Sequence, residues 1–168
     1  MVGQSNSMMK MPLILAAAII IIRIVLEQLG SPQTINPIFG VAWLYFLVPI
    51  YFALEIKKSG SDTPYKSLFA TLGFFAIYTR LMVFVTYMLA WWLQWPAPRF
   101  SLDQGGVVGE GVSALQGLLI IPLRNAVIWI IFAVIIGMLI GWITMVIKSS
   151  RNKAGAYFPS HQYAVHCN

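Results

Sequence analysis

The chain has 168 residues, 59% of them apolar and only 10% charged, with a mean hydropathy of +0.78. Soluble globular chains are roughly 45–50% apolar and about 25% charged, so the missing component here is charge. That excludes intrinsic disorder and a basic nucleic-acid-binding surface, and the net charge of +6, from 11 Lys and Arg against five Asp and Glu, has to be read by position.

The first apolar segment covers about residues 11–29 and contains an Ile19–Ile22 block. About 20 helical residues at 1.5 Å each cross a hydrocarbon layer of roughly 30 Å, so this segment is long enough to span. Lys10 precedes it, as a charged flank precedes a signal peptide, but Ala16–Ala18 lie inside the run rather than after it as a cleavage site would. The segment therefore reads as a retained span. Arg23 and Glu27 stand four apart near its end and share one helical face.

Gly30–Pro37, with Ser31-Pro32 and Asn36-Pro37, reads as a turn leading to a second span over about 38–56. Pro49 interrupts that span and predicts a kink, because it leaves the carbonyl near Tyr45 without its helical donor. Lys57–Lys66 forms the next short connection. The third span, about 68–92, carries Arg80, with Phe84, Tyr87 and Trp91 following it at four, seven and eleven positions in one stripe. Trp91, Trp92 and Trp95 mark a membrane interface.

Residues 93–117 form a longer connection with Pro96, Pro98, Gly105-Gly106, Gly109 and Gly111, and a short helical piece between Val112 and Leu119. Its glycines match neither a dinucleotide fingerprint nor a phosphate loop. It is the candidate lid over the mouth of the bundle. The fourth span, about 118–147, has Arg124 near its start and the pair Gly137 and Gly141, whose spacing favours close helix contact within the chain or between protomers. A tail, 148–168, carries His161, His166 and Cys167, a weak metal pattern.

A transmembrane β-barrel needs segments alternating polar and apolar, and runs such as Leu13–Ile22 do not alternate. The expected fold is an all-α integral membrane protein: one transmembrane domain of four helices in an up-and-down antiparallel bundle. Lys10, Lys57, Lys58, Lys66, Lys148, Arg151 and Lys153 all fall on one side of this arrangement, which puts both termini in the cytoplasm and fits a bacterial inner (plasma) membrane.

This topology brings Arg23, Glu27, Arg80 and Arg124 to a common depth near the outer leaflet. An arginine at the centre of a span costs roughly 2.5–3.5 kcal/mol, so such residues turn to a partner, to water or to the bundle interior. Three cations against one anion predict a further anionic partner. The expected ligand-binding set is Arg23, Glu27, Arg80, Phe84, Tyr87, Trp91 and Arg124, taking an anionic lipid or an amphipathic, quinone-like cofactor, or docking an accessory subunit into a larger membrane complex. The structural alternative pairs Arg23 with Glu27 and lets the other arginines snorkel. Two other classes stay open: a small transporter or channel acting as an oligomer through Gly137 and Gly141, and an enzyme using Glu27 as base on a lipid-like anionic substrate. No span contains a histidine, so no metal site and no catalytic set is assigned.

Reporters fused after Asp62 and at the C-terminus are expected to report the cytoplasm, and one fused after Pro37 the opposite side. The reverse pattern in an activity-based topology assay would move all four intramembrane charges to the cytoplasmic leaflet.

Overall fold

In a computed structural model the chain is described over residues 2–32, 38 and 40–157, with side chains over 8–32, 38 and 40–150. His161, His166 and Cys167, and most of the first connection, lie outside the described residues. The elements are helices α1 (Val2–Gln28), α2 (Leu44–Lys58), α3 (Pro64–Leu93) and α4 (Ile121–Tyr157). Among the described residues there is no β-strand, only an isolated parallel bridge between Ser101 and Val108.

Three stretches, Met8–Gln28, Pro64–Leu93 and Gln116–Ser150, are long and apolar enough to cross a membrane. Only 22%, 39% and 22% of their most apolar windows are buried inside the protein, so most of that apolar surface faces outward. Ile14, Ile21, Leu81, Trp92 and Ile135 are all more than half exposed. Water would oppose such a surface and lipid would not. These are the features of a membrane protein.

α2 differs from the expected span over 38–56. Residues Val41–Trp43 wind as a tighter 3-10 turn, and the α-helix proper has 15 residues. At 1.5 Å per residue that is about 22 Å, short of the roughly 30 Å of hydrocarbon. It nevertheless turns nearly half of its residues inward: Leu44, Tyr45, Val48, Pro49, Phe52, Ala53 and Ile56 are buried. α2 packs chiefly against α4 and then α3, while α1 packs mainly against α3. Phe75 of α3 takes edge contacts from Tyr45 and Phe52, at ring separations of 6.3 and 5.9 Å.

Gly137 and Gly141 face this interior. A Cβ at Gly137 would stand 3.1 Å from both Leu72 methyls and 3.3 Å from the Pro49 ring, and one at Gly141 would meet Leu68. The close approach these glycines permit is therefore occupied by α2 and α3 of the same chain.

The connection after α3 is an ordered cap. α3 ends because Gln94 turns left-handed (φ 49°), its N–H and that of Trp95 both bonding the Ala90 carbonyl. The chain then folds back on itself: Val108 N–H donates to the Phe100 carbonyl at 2.7 Å and Leu102 N–H to the Val108 carbonyl at 2.8 Å. Phe100 and Val107 are fully buried with Ala90 and Ala97 in a small satellite core flanked by Tyr87, Trp91 and Trp95. A side chain at Gly106 would overlap the Phe100 backbone.

α4 is approached by a helical stretch starting at Ala114, within the short helical piece expected between Val112 and Leu119 and running on without a break into the span expected from 118. Ser113 and Gln116 form a capping box: Ser113 N–H donates to Gln116 Oε1 at 3.1 Å and Gln116 N–H to Ser113 Oγ at 3.4 Å. Gln116–Ile120 widens into a π-turn in which Ile121 N–H bonds the Gln116 carbonyl. Pro122 supplies the reason, since it has no N–H to offer the Leu118 carbonyl and its ring crowds the preceding turn.

Gly106→Ala is expected to lower the thermal stability of the detergent-solubilised protein by several degrees, by lifting Phe100 out of the satellite core. Gly73→Ala in α3, where the added methyl meets open space, should leave it unchanged or raise it. Equal behaviour of the two in a fluorescence-detected melt would mean the cap carries no stability.

Candidate functional site

The charged residues assemble into two groups at the end of the molecule that carries the cap. In the first, Glu27 is buried and bridges two arginines. Arg23 Nε, one helical turn earlier on α1, donates to Glu27 Oε1 at 2.9 Å. Arg99, from the cap, places its Nε 2.9 Å from Glu27 Oε2. This second contact is an ion pair without the alignment of a hydrogen bond, and Arg99 Nη2 is buried with no partner. The Arg99 guanidinium also lies over the Phe100 ring at 4.3 Å. Burial pushes Arg99 down to about 10, with the Glu27 carboxylate resisting that fall and the Arg23 charge adding to it. It is cationic at neutral pH, so the group carries one negative and two positive charges.

The second group surrounds a cavity of about 240 Å³ between α3, α4 and the cap. Arg80, Val83, Phe84 and Tyr87 line it from α3; Pro122, Arg124, Asn125, Ala126 and Trp129 from α4; Gln104 and Gly105 from the cap. Arg80 is buried, 8% exposed, and makes no salt bridge among the described residues. Its guanidinium carbon lies over two rings, 5.1 Å from the Tyr45 centroid and 4.7 Å from that of Trp129. Cation–π contacts of this kind contribute about 2 kcal/mol when desolvated. A ring supplies no conventional acceptor for the five N–H groups of a guanidinium. Arg80 is close enough to Tyr45 to interact electrostatically, yet Arg80 Nε and the Tyr45 hydroxyl both lack a well-aligned hydrogen bond, as does Thr79 Oγ1 beside them. Arg124 lies at the exposed mouth, and no carboxylate lines the cavity.

Arg80, Phe84, Tyr87 and Arg124 thus come together as the sequence pattern suggests. Arg23 and Glu27 do not join them; they form the separate ion-pair group. Trp91 lies off the cavity as well, packed so tightly on Gly117 that a side chain there would overlap its indole. Glu27, held by two arginines and absent from the cavity wall, is poorly placed to act as a base there.

Two residues escaped the sequence reading. Arg99 sits in a loop, where an arginine gives no insertion penalty to flag it. Trp129 lies in a uniformly apolar run and is recognisable only by its helical spacing, one turn beyond Asn125. Tyr87 joins the two groups, near enough to interact with both Arg80 and Arg99 and edge-on to Phe100 at 5.2 Å. Among the described residues no cluster of His, Cys, Asp and Glu could hold a metal ion.

Removing one member of a buried ion pair costs about 3–5 kcal/mol, because the remaining charge loses its compensation. Glu27→Gln is accordingly expected to lower the melting temperature strongly, while Lys58→Gln, which breaks the exposed 2.6 Å pair with Glu55, leaves it unchanged. A Glu27→Gln protein as stable as the parent would show that the two arginines need no counterion.

No protein-family model matches this chain, and no curated protein or solved structure matches it significantly, so its function is argued from the geometry of these two groups.

Proposed function

We propose that the protein is a small, non-catalytic integral membrane protein that holds the anionic head of an amphipathic molecule in the Arg80–Arg124 cavity. The observation that carries this reading is a buried guanidinium lining the cavity, with no salt bridge among the described residues and no carboxylate in the wall. A buried, uncompensated cation is costly, and an anion seated in the cavity would supply the missing interaction. Drug-sized ligands occupy roughly 300–1,000 Å³. A cavity of about 240 Å³ suits a headgroup or one ring, the apolar remainder lying along the exposed apolar faces of α3 and α4.

In this reading all four helices cross the membrane in alternating directions, with both ends in the cytoplasm of a bacterial cell. The first supporting feature is the segregation of seven basic residues to the ends and the α2–α3 connection. Reach is the second: the 3-10 turn and α2 together extend about 28 Å, close to the hydrocarbon thickness. The cavity then opens in the outer leaflet beneath the cap. Tight retention of a lipid or quinone-like molecule, with no acid–base set around it, suits an accessory subunit of a larger membrane complex.

Native mass spectrometry after gentle extraction tests the reading. The parent is expected to carry a stoichiometric small-molecule mass that Arg80→Gln and Arg124→Gln lose. Arg124 is exposed, so its variant folds even if the buried Arg80 variant does not. Retention of that mass by a folded Arg124→Gln protein, or a bare parent, would sink the proposal.

A further inference from the structure

The wall of the same cavity is selective in a way that the presence of an anion site alone does not require. Beyond the two guanidinium groups, its polar side chains are the Asn125 and Gln104 amides, the Tyr87 hydroxyl and the Trp129 indole. Each can donate a hydrogen bond. Arg80 is more than nine-tenths buried and has no salt bridge among the described residues. Six donor-bearing side chains around so small a volume exceed what the two oxygens of one carboxylate can readily satisfy. A phosphate monoester offers three non-bridging oxygens, and a glycerol phosphodiester two together with its ester and hydroxyl oxygens, in a geometry that guanidinium forks match in pairs.

What the wall lacks is equally specific. No Asp or Glu lines it, and Arg80 already stands over the Trp129 ring, leaving the Phe84 and Tyr87 rings as the aromatic part of the wall. A zwitterionic headgroup would bring its ammonium among two guanidinium groups with no carboxylate to receive it, and like charges in a partly desolvated site repel strongly. A glycerol or unsubstituted phosphate headgroup has no such conflict, and its hydroxyls can also accept from Asn125 and Gln104.

We infer that the ligand is a phosphate ester without an ammonium group, carried on a lipid that enters between α3 and α4: an anionic phospholipid, selected against zwitterionic ones. The inference rests on the binding role proposed above and narrows it to one headgroup chemistry. Arg80 binds the phosphate at the floor, Arg124 binds it from the mouth, and the cap closes over the glycerol side through Gln104.

The test is competition on the full chain. Delipidated protein is offered an equimolar mixture of phosphatidylglycerol, phosphatidic acid and phosphatidylethanolamine, and bound lipid is read by native mass spectrometry for the parent and for Arg124→Gln. The parent is expected to favour the two anionic lipids at least about tenfold, a preference that falls close to one in the variant. Phosphatidylethanolamine bound as well as the others, but lost in Arg124→Gln, would overturn the selectivity and leave the binding site standing. Arg124-independent binding of all three would overturn both. Soluble glycerol phosphate in a third arm separates the two sources of the same chemistry. Displacement of lipid by it at equal concentration would overturn the lipid assignment in favour of a free phosphate ester.

Discussion

A guanidinium inside an apolar helix must have every part of its charge answered locally, and the architecture at one end of this molecule follows from that constraint. Water is not at hand to solvate such a group, and an unanswered buried charge costs several kcal/mol. Arg23 is answered within its own helix by Glu27, a turn away. Arg80 has no acidic residue within reach on α3 and is answered by rings from two neighbouring helices, Tyr45 of α2 and Trp129 of α4. The packing of α2 and α4 around α3 is therefore also the means by which Arg80 is kept in the protein. That solution is partial, because a ring supplies no conventional acceptor for the N–H groups of a guanidinium.

The cap translates the same constraint into a shape. Its backbone is closed by the Phe100–Val108 hydrogen bonds, its hydrophobic anchor is Phe100, and its electrostatic anchor is Arg99 on Glu27. These anchors lie on either side of Tyr87, which touches Phe100 and faces both arginine groups. The Arg99–Glu27 contact ties the cap to α1, and the same loop, five residues later, supplies Gln104 and Gly105 to the cavity wall. Anything that shifts Phe100 or Arg99 shifts the roof of the cavity with them, so the two charge groups are mechanically joined although they share no salt bridge.

Much of this was legible in the residues. Span lengths follow from apolar runs, and Arg23, Glu27, Arg80 and Arg124 could be placed at one level because depth is fixed by helix rise and direction, with Phe84 and Tyr87 on the stripe beyond Arg80. Lateral neighbours are a different matter. Helical spacing put Trp91 on the same stripe as Arg80, but at eleven residues' distance it reaches the cap, where Gly117 leaves room for an indole. The partner of Glu27 came from a loop, whose path depends on left-handed Gln94 and on Gly106 rather than on any periodic pattern. The start of the last helix was legible in principle, since Ser113 and Gln116 stand at capping-box spacing immediately before an apolar run. The shortness of α2 was not, because its apolar run continues through residues that wind as a 3-10 turn.

The division between lysine and arginine separates the two uses of positive charge in this chain. Lys10 and Lys148 stand near the ends of the apolar stretches Met8–Gln28 and Gln116–Ser150, Lys57, Lys58 and Lys66 flank the α2–α3 connection, and Lys153 lies in the last part of α4. The four basic residues of the cap end, Arg23, Arg80, Arg99 and Arg124, are all arginine. Lysine is a compact, strongly hydrated point charge suited to an interface, whereas arginine is planar, weakly hydrated and able to stack and to bond at its edge together. A lysine at position 80 would have no plane to set against Tyr45 and Trp129 and would be driven to find water. The residue type that tolerates burial there is also the one that presents a fork to a phosphate. That coincidence makes the floor of the cavity both the hardest part of the structure to stabilise alone and the part best fitted to be completed by a ligand.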